Sequence, residues 1–372
     1  MNSTVAESDE VEIEDNITEE PDESIPFKYS ITSYGADFTV DGLVKRLNEG
    51  SIFIPQFQRA YVWTQRQASR FIESLLLGLP VPGIFLSREH DSQKLLVIDG
   101  QQRLRTLQAF CEGHFPRRDV SSKEDRIFAL DLGSNLGYMS RFDGTTYKGL
   151  SLEDKRRFDD SILHATIVKQ DEPTDDNSSV YFIFERLNTG GTPLRPQEIR
   201  ACIYHGEFNE LLQHLNRTAA WRSITGSVSR SMRDQELILR FFALYFQATA
   251  YEKPMKDFLN KYMSRNRHCG VQDPKTMTHV FTLTIETIFA CVGKQSFKPK
   301  RALNAAVFDA VMVGMARRLE KGGISDCEDL RSRYETLTKN AAFINATETG
   351  TSSEESVATR VSMATAAFEN VQ

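Results

Sequence analysis

The sequence predicts an α+β protein, a small mixed domain followed by a mostly helical one, and three observations carry that prediction. Up to about residue 200, short apolar runs bounded by Pro, Gly and Asp alternate with amphipathic helical patterns. From about residue 197 onward the spacing is helical almost without interruption, and no internal repeat is present. The length of 372 residues leaves room for about two domains with ample core.

Taken in order, Ser30–Tyr34 and Asp37–Val40 read as short extended pieces and Val40–Asn48 as a short helix. Ile52–Trp63 is extended, because Pro55 cannot sit inside a helix. Thr64 and Gln67 have the spacing of a capping box, which opens a helix running to about Gly78 with Ala68, Phe71, Ile72, Leu75 and Leu76 on its apolar face. Leu79–Gly83 turns the chain into a strand at Ile84–Ser87, which pairs as a hairpin with Leu95–Ile98. Residues 115–160 are polar and turn-rich, with a helix near Leu152–Ile162. Ala165–Val168 reads as a strand, Asp171–Asn177 as a loop, and Ser179–Leu187 as a helix. A further helix restarts with Pro196 as its first residue, and amphipathic segments follow around 207–217, 233–249, 276–292, 302–320 and 328–343.

The net charge of −6 conceals an asymmetry. Residues 1–25 hold ten carboxylates and no Lys or Arg, leaving 41 acidic against 45 basic residues in the rest of the chain. The acidic segment, bounded at 1–27, reads as a disordered tail, or alternatively as a mimic of nucleic acid that covers a basic groove. No apolar run is long enough to span a bilayer, and no secretory signal is evident. Cys111, Cys202, Cys269, Cys291 and Cys327 show no paired spacing, which points away from a disulfide framework or zinc site and toward the cytoplasm.

The most informative stretch is Leu95–Ile98 followed by Asp99-Gly100-Gln101-Gln102-Arg103 and a helical pattern with Leu104, Leu107 and Cys111. Asp99 is expected to cap that helix, with Gly100 taking the backbone angles of the sharp turn. The first turn then offers unpaired N–H groups and the positive end of the helix dipole beside Gln101, Gln102, Arg103 and Arg105, which suits an anionic oxygen. A plain strand-to-helix turn is the alternative. The stretch is not a Walker loop, since it lacks the glycine-rich run and the Lys-Ser/Thr pair.

Two other groups attract attention. In Gln58-Arg59-Ala60-Tyr61-Val62-Trp63, alternation places Arg59, Tyr61 and Trp63 on one face. Either Arg59 meets a phosphate while Tyr61 or Trp63 stacks on a base, or this is a half-buried strand whose aromatics belong to the core. Asn188-Thr189-Gly190-Gly191-Thr192 follows a helix, where one glycine suffices for a C-cap and the second suggests close approach of a ligand. Glu198, in the next helix's first turn, is placed either to orient a water or metal or simply to offset the helix dipole. The histidines show no His-Asn-His spacing, Glu153-Asp154-Lys155 lacks a fitting upstream Pro-Asp, and the basic clusters at 155–157, 298–301 and 317–318 are short.

In combination these motifs are specific. Ile54-Pro55-x-x-Gln58-Arg59-x-Tyr61-x-Trp63, Asp99–Arg103, and Phe184–Leu194 with Glu198 occur in an order that resembles the N-terminal domain of GmrSD-type, modification-dependent restriction endonucleases, a group related to the ParB/sulfiredoxin fold. Leu239–Phe242 and Met255–Leu259 are similar to that family's helical part, so the resemblance covers roughly 35–345. It implies a ParB-like nucleotide-binding domain over 28–200, a helical domain over 201–345 and a polar C-terminal segment over 346–372.

The resemblance further implies a domain that binds and hydrolyses a nucleoside triphosphate, of unknown base and with Mg2+, in bacterial antiviral defence against phage DNA. Asp99, Arg103 and Glu198 would carry the chemistry, with the metal ligands undefined. Gly100, Gln101, Gln102, Arg105, Gln58, Arg59, Tyr61, Trp63, Asn188, Thr189, Gly190 and Gly191 would line the nucleotide. DNA is the expected partner. No His-Asn-His nuclease pattern follows, so either a separate subunit cuts DNA or this protein only senses and switches. The alternatives are a non-catalytic DNA-binding or regulatory subunit and a nickase with an unrecognised metal site.

Overall fold

The computed structural model describes residues 13–14, 30–55, 61–89, 92–116, 126–133, 140–172, 178–187, 194–229 and 231–372. The chain divides into an α+β unit, Lys28–Pro193, and a helical unit formed by Leu194–Gln372 with Met1–Phe27. The division falls ahead of the expected boundary at 200, because the helix beginning at Pro196 belongs with the helices that follow it. A mixed sheet followed by helices is the predicted fold class.

A two-residue strand, β1 (Ile13–Glu14), opens the described chain and belongs to the helical unit. The α+β unit then comprises β2 (Ser30–Thr39), α1 (Val40–Asn48), β3 (Ile52–Phe53), α2 (Gln65–Leu76), β4 (Ile84–Arg88), β5 (Leu95–Asp99), α3 (Gln101–Glu112), α4 (Leu152–Asp159), β6 (Ile162–Glu172) and α5 (Ser178–Leu187). The sheet order is β2-β6-β4-β5-β3. The β2–β6 and β4–β5 pairs are antiparallel, whereas β4–β6 and β3–β5 are parallel.

Strand alternation directs Ile84, Leu86, Val97, Leu163, Ala165 and Ile167 into a core shared with Leu43 of α1, Ile72 of α2, Leu107 and Phe110 of α3, and Phe158 of α4. Leu96, Ile98 and Val168, on the opposite face, are also buried, and α5 lies against β5 and β6. Gln170 anchors α5 by accepting hydrogen bonds from the N–H and hydroxyl of Ser179.

Local signals account for several boundaries. Thr64 and Gln67 form the capping box of α2, and Ala68, Phe71, Ile72, Leu75 and Leu76 are its buried face. The two extended pieces expected at 30–40 are one ten-residue strand. Gly35 does not interrupt it, because β6 supplies an antiparallel partner in unbroken register from Ile162 to Gln170, with a register shift only between Ser30 and Ile31. That partner is longer than the Ala165–Val168 strand read from sequence. It extends into both the expected helix end at Ile162 and the expected loop at Asp171, since half of β6 is polar and its pairing is non-local.

The helical unit comprises α6 (Pro196–Ile203), α7 (Glu207–Leu215), α8 (Ala219–Thr225), α9 (Arg233–Gln247), α10 (Met255–Arg265), α11 (Pro274–Cys291), β7 (Leu303–Asn304), α12 (Ala305–Leu319), α13 (Cys327–Lys339), α14 (Ala341–Glu348) and α15 (Glu354–Phe368). Apart from Arg317 and Arg318, α12 is buried along its whole length, which makes it the central helix, packed by α9, α11 and α15. The stretch read as a polar C-terminal segment contains α15, whose Val357, Val361, Ala364 and Phe368 are buried. Gly314 permits the close approach of α15, since a Cβ there would lie 2.7 Å from the Ala364 carbonyl carbon.

Asp309 of α12, fully buried, accepts from Arg240 at 2.6 and 3.0 Å and from Arg360 at 2.9 Å, tying α9, α12 and α15 together. Cys291 and Cys327 form a disulfide, contrary to the unpaired reading of the cysteines. Their 36-residue separation carries no local pattern; the packing of α11 against α13 brings them together. No helix among the described residues is long and apolar enough to cross a membrane.

Candidate functional site

The β5–α3 junction differs in one respect from the expected turn. Gly100, not Asp99, is the N-cap of α3, in left-handed geometry with φ 99° and ψ 9°, and no side chain caps the helix. Glycine is required twice over. A side chain is strained at that φ, and a Cβ would collide with Ile84 Cγ2 and lie 2.9 Å from Ile84 Cβ. Among the described residues the N–H groups of Gln102 and Arg103 meet no acceptor, which leaves them at the positive end of α3 to bind an anion.

Asp99 and Arg103 bond each other. Arg103 Nη2 donates to Asp99 Oδ2 at 2.7 Å, while Nη1 donates to the carbonyls of Pro82 at 2.9 Å and Gly83 at 2.7 Å. The guanidinium thereby clamps the turn before β4 to the end of β5, with its side chain only 13% exposed. Asp99 Oδ1 accepts no hydrogen bond from the described residues. Arg105 is the contrasting arginine: it is half-buried and pairs with no carboxylate among the described residues, and burial lowers its pKa. An incoming anion would remove the desolvation cost that this cation bears alone.

Two of the sequence motifs meet on α3. Gln102 Oε1 accepts from the N–H of Val62 at 3.0 Å and of Trp63 at 3.3 Å, and the Tyr61 hydroxyl lies 2.7 Å from that of Thr106. Gln102 is thus a bracket that holds the first motif on the helix. Tyr61, 2% exposed, packs edge-on against Phe115, and Trp63 packs edge-on against Phe71. Both aromatics serve the core in this structure. Gln58 and Arg59 lie outside the described residues, as do Asn188, Thr189, Gly190 and Gly191.

Glu198 lies in the helical unit, where its Oε2 accepts the Arg195 N–H at 2.7 Å and closes the first turn of α6. Sequence reasoning overlooked Thr106, Ile84 and the Pro82 and Gly83 carbonyls. Nothing in their local spacing marks them; only the Pro-Val-Pro-Gly turn hinted that carbonyls would be left without partners. Among the described residues no group of three His, Cys, Asp or Glu side chains could hold a metal ion.

A strand, a left-handed glycine and an uncapped helix start, set in a five-stranded mixed sheet, define an α+β domain with an open helix N-terminus beside arginines. Residues 40–205, from α1 through α6, match the family model of the GmrSD restriction endonuclease, N-terminal domain. A curated relative, an uncharacterized protein of Methanocaldococcus jannaschii, is 28% identical over 143 residues. That match covers 30% of this chain and 24% of the relative's own length.

Proposed function

We propose that the α+β unit binds and hydrolyses a nucleoside triphosphate at the β5–α3 junction, as the switching module of a DNA restriction system that controls a nuclease. The observation that carries this reading is the start of α3, where, among the described residues, the N–H groups of Gln102 and Arg103 find no acceptor and Arg105 of the same helical turn finds no carboxylate. Amide hydrogens satisfy phosphate oxygens without bringing a competing charge, and a desolvated guanidinium supplies the counter-charge. The family match supports a restriction role and DNA as the partner.

Mg2+ fits this site in a limited way. It usually enters such sites on the phosphates and takes one or two carboxylates from the protein. Asp99, whose Oδ1 accepts no hydrogen bond from the described residues, is the residue that would hold it. The ion would neutralise charge on the phosphate oxygens. In this reading Arg103 is a positioning residue, which holds Asp99 and the turn at Gly83.

The pairing of Asp99 with Arg103 also favours a second reading, a non-catalytic DNA-binding or regulatory subunit, because both groups are already engaged with one another. Phosphate release from ATP, GTP, CTP and UTP with Mg2+, with and without modified DNA, separates the two. The expected result is turnover of at least one nucleotide, reduced about tenfold or more in Arg105→Ala while the far-UV spectrum and melting temperature stay unchanged. No nucleotide binding and no turnover would overturn the proposal in favour of the second reading.

A further inference from the structure

The strand order of the α+β unit ends at β2, so only one of its two edges is paired, with β6. Register is constant from Ile31↔Gln170 to Thr39↔Ile162, and at the next position the Val40 N–H donates to the Ser161 carbonyl at 3.0 Å. Hydrogen-bonding direction alternates along an antiparallel strand. Phe38, Ala36, Tyr34 and Thr32 therefore turn their N–H and C=O groups to β6, and Ile31, Ser33, Gly35 and Asp37 turn theirs outward. Among the described residues no strand pairs with that outward row.

Edge strands are ordinarily blunted by brevity, Pro, Lys or a bulge. β2 is ten residues long, contains neither Pro nor Lys, and has its one irregularity at the Ser30 end. Asp37 is its only charged residue. Ser30 through Gly35 are all exposed, with Ile31 at 40% and Tyr34 at 37%. Gly35 is the complement of Ile31, since a Cβ built there would meet nothing within 4 Å. Both belong to the outward row and share one face of the strand. An antiparallel two-fold with Ser33 opposite Ser33 sets each Ile31 over the other copy's Gly35. The strand thus carries both the protrusion and the hollow that receives it, which selects a second copy of the chain as the occupant.

We infer that β2 is a self-docking edge: two copies pair it antiparallel about Ser33 and join their five-stranded sheets into one. The register Ile31↔Gly35, Ser33↔Ser33 and Gly35↔Ile31 exchanges about six N–H···O=C bonds. Between these pairs Thr32 stands opposite the other copy's Tyr34, in a position without ladder bonds where side chains approach most closely. Asp37 then lies about 26 Å from its mate, so the one charge of the strand is screened from itself. Such a pairing is isologous and closes at two copies, with both β5–α3 junctions on a single sheet. It rests on the edge of β2 alone and does not depend on nucleotide turnover.

The test is sedimentation of the full chain over about 1–200 μM. A monomer–dimer equilibrium in the micromolar range is expected, because the contact is smaller than a standard interface. Ser33→Pro removes the central outward N–H without costing a bond to β6, and is expected to weaken the dimer at least about tenfold with an unchanged melting temperature. Ile31→Gly is expected to weaken it similarly, and Ile31→Gly combined with Gly35→Ile to recover it, since protrusion and hollow merely change places. Ser33→Cys probes the register without disrupting it. Cα atoms of a bonded pair lie about 5.5 Å apart, within reach of a disulfide. Mild oxidation with copper–phenanthroline should therefore link Ser33→Cys chains in pairs and leave the parent and Asp37→Cys unlinked. A chain that stays monomeric throughout, a dimer indifferent to Ser33→Pro, no recovery in the combined variant, or no Ser33→Cys cross-link would each overturn the inference. A dimer without nucleotide turnover would leave it standing and count against the proposed hydrolysis alone.

Discussion

Arg103 and Asp99 form an ion pair of 2.7 Å across the β5–α3 junction, one helical turn apart, and the same guanidinium holds the carbonyls of Pro82 and Gly83. Two residues that read from the sequence as a phosphate ligand and a helix cap are thus the clasp of a turn. Among the described residues the clasp leaves Asp99 Oδ1 and the N–H groups of Gln102 and Arg103 without partners, and these define what the junction can still bind.

Removal of the clasp is expected to loosen the junction before it alters any chemistry. Arg103→Ala deletes a charge-assisted hydrogen bond and strands two carbonyls, a loss of about 1–3 kcal/mol in denaturant unfolding. Arg103→Lys recovers part of that loss, since an ammonium reaches fewer of the three acceptors at once. If Arg103→Ala left stability unchanged while abolishing nucleotide binding, the residue would be a direct phosphate ligand instead.

Gly100 has no tolerated replacement in this packing. Gly100→Ala meets both the left-handed backbone and Ile84, and is expected to cost about 2–4 kcal/mol. Pairing it with Ile84→Ala in a double-mutant cycle should recover the steric part only, leaving the backbone strain. Fully additive effects of the two substitutions would show that they are not in contact.

Asp309 neutralises two buried guanidiniums. Asp309→Ala leaves Arg240 and Arg360 buried without their carboxylate, and a loss of about 3–5 kcal/mol is expected from the urea midpoint. Burial already lowers the pKa of Arg360 while Asp309 opposes that shift. A wild-type midpoint in Asp309→Ala would mean that water or another acceptor takes over.

The Cys111 thiol provides a pH test of burial in the α+β core. Burial, with Asp159 and Glu112 adding, pushes its pKa up from 9.0 to about 12. The folded state therefore holds this proton more tightly than the unfolded state does. Its contribution to stability is complete below about pH 9 and is lost as the pH rises toward 12. At pH 8 alkylation of Cys111 in the folded chain should be about two to three orders of magnitude slower than in denaturant, because the thiolate fraction is that much smaller. Peptide mapping after timed iodoacetamide treatment reads this directly, and equal rates in both states would contradict it.

How much of this protein is legible in its sequence varies from element to element, and the variation has a physical cause. Thr64 with Gln67, Gly100 after Asp99, and Pro196 at a helix start act through neighbours one turn away, so α2, α3 and α6 begin where those residues say. The apolar spacing of Ala68, Phe71, Ile72, Leu75 and Leu76 likewise names a buried face before any partner is known. The α+β class and the junction that attracts attention follow from such short-range information.

Long-range packing decided the rest. The length of β6 depends on β2, more than a hundred residues earlier, and the Cys291–Cys327 bond depends on α11 meeting α13. The role of Arg103 depends on which acceptors the fold carries to its guanidinium, and Pro82 and Gly83 lie about twenty residues away in sequence. Arg105, two positions further along the same helix, receives no carboxylate partner among the described residues, and its sequence context alone does not distinguish it from Arg103. Helix caps and periodicity are properties of one turn of chain, whereas the choice between a cation that is satisfied and one that is left for a ligand is made only when distant carbonyls and carboxylates are brought within about 3 Å.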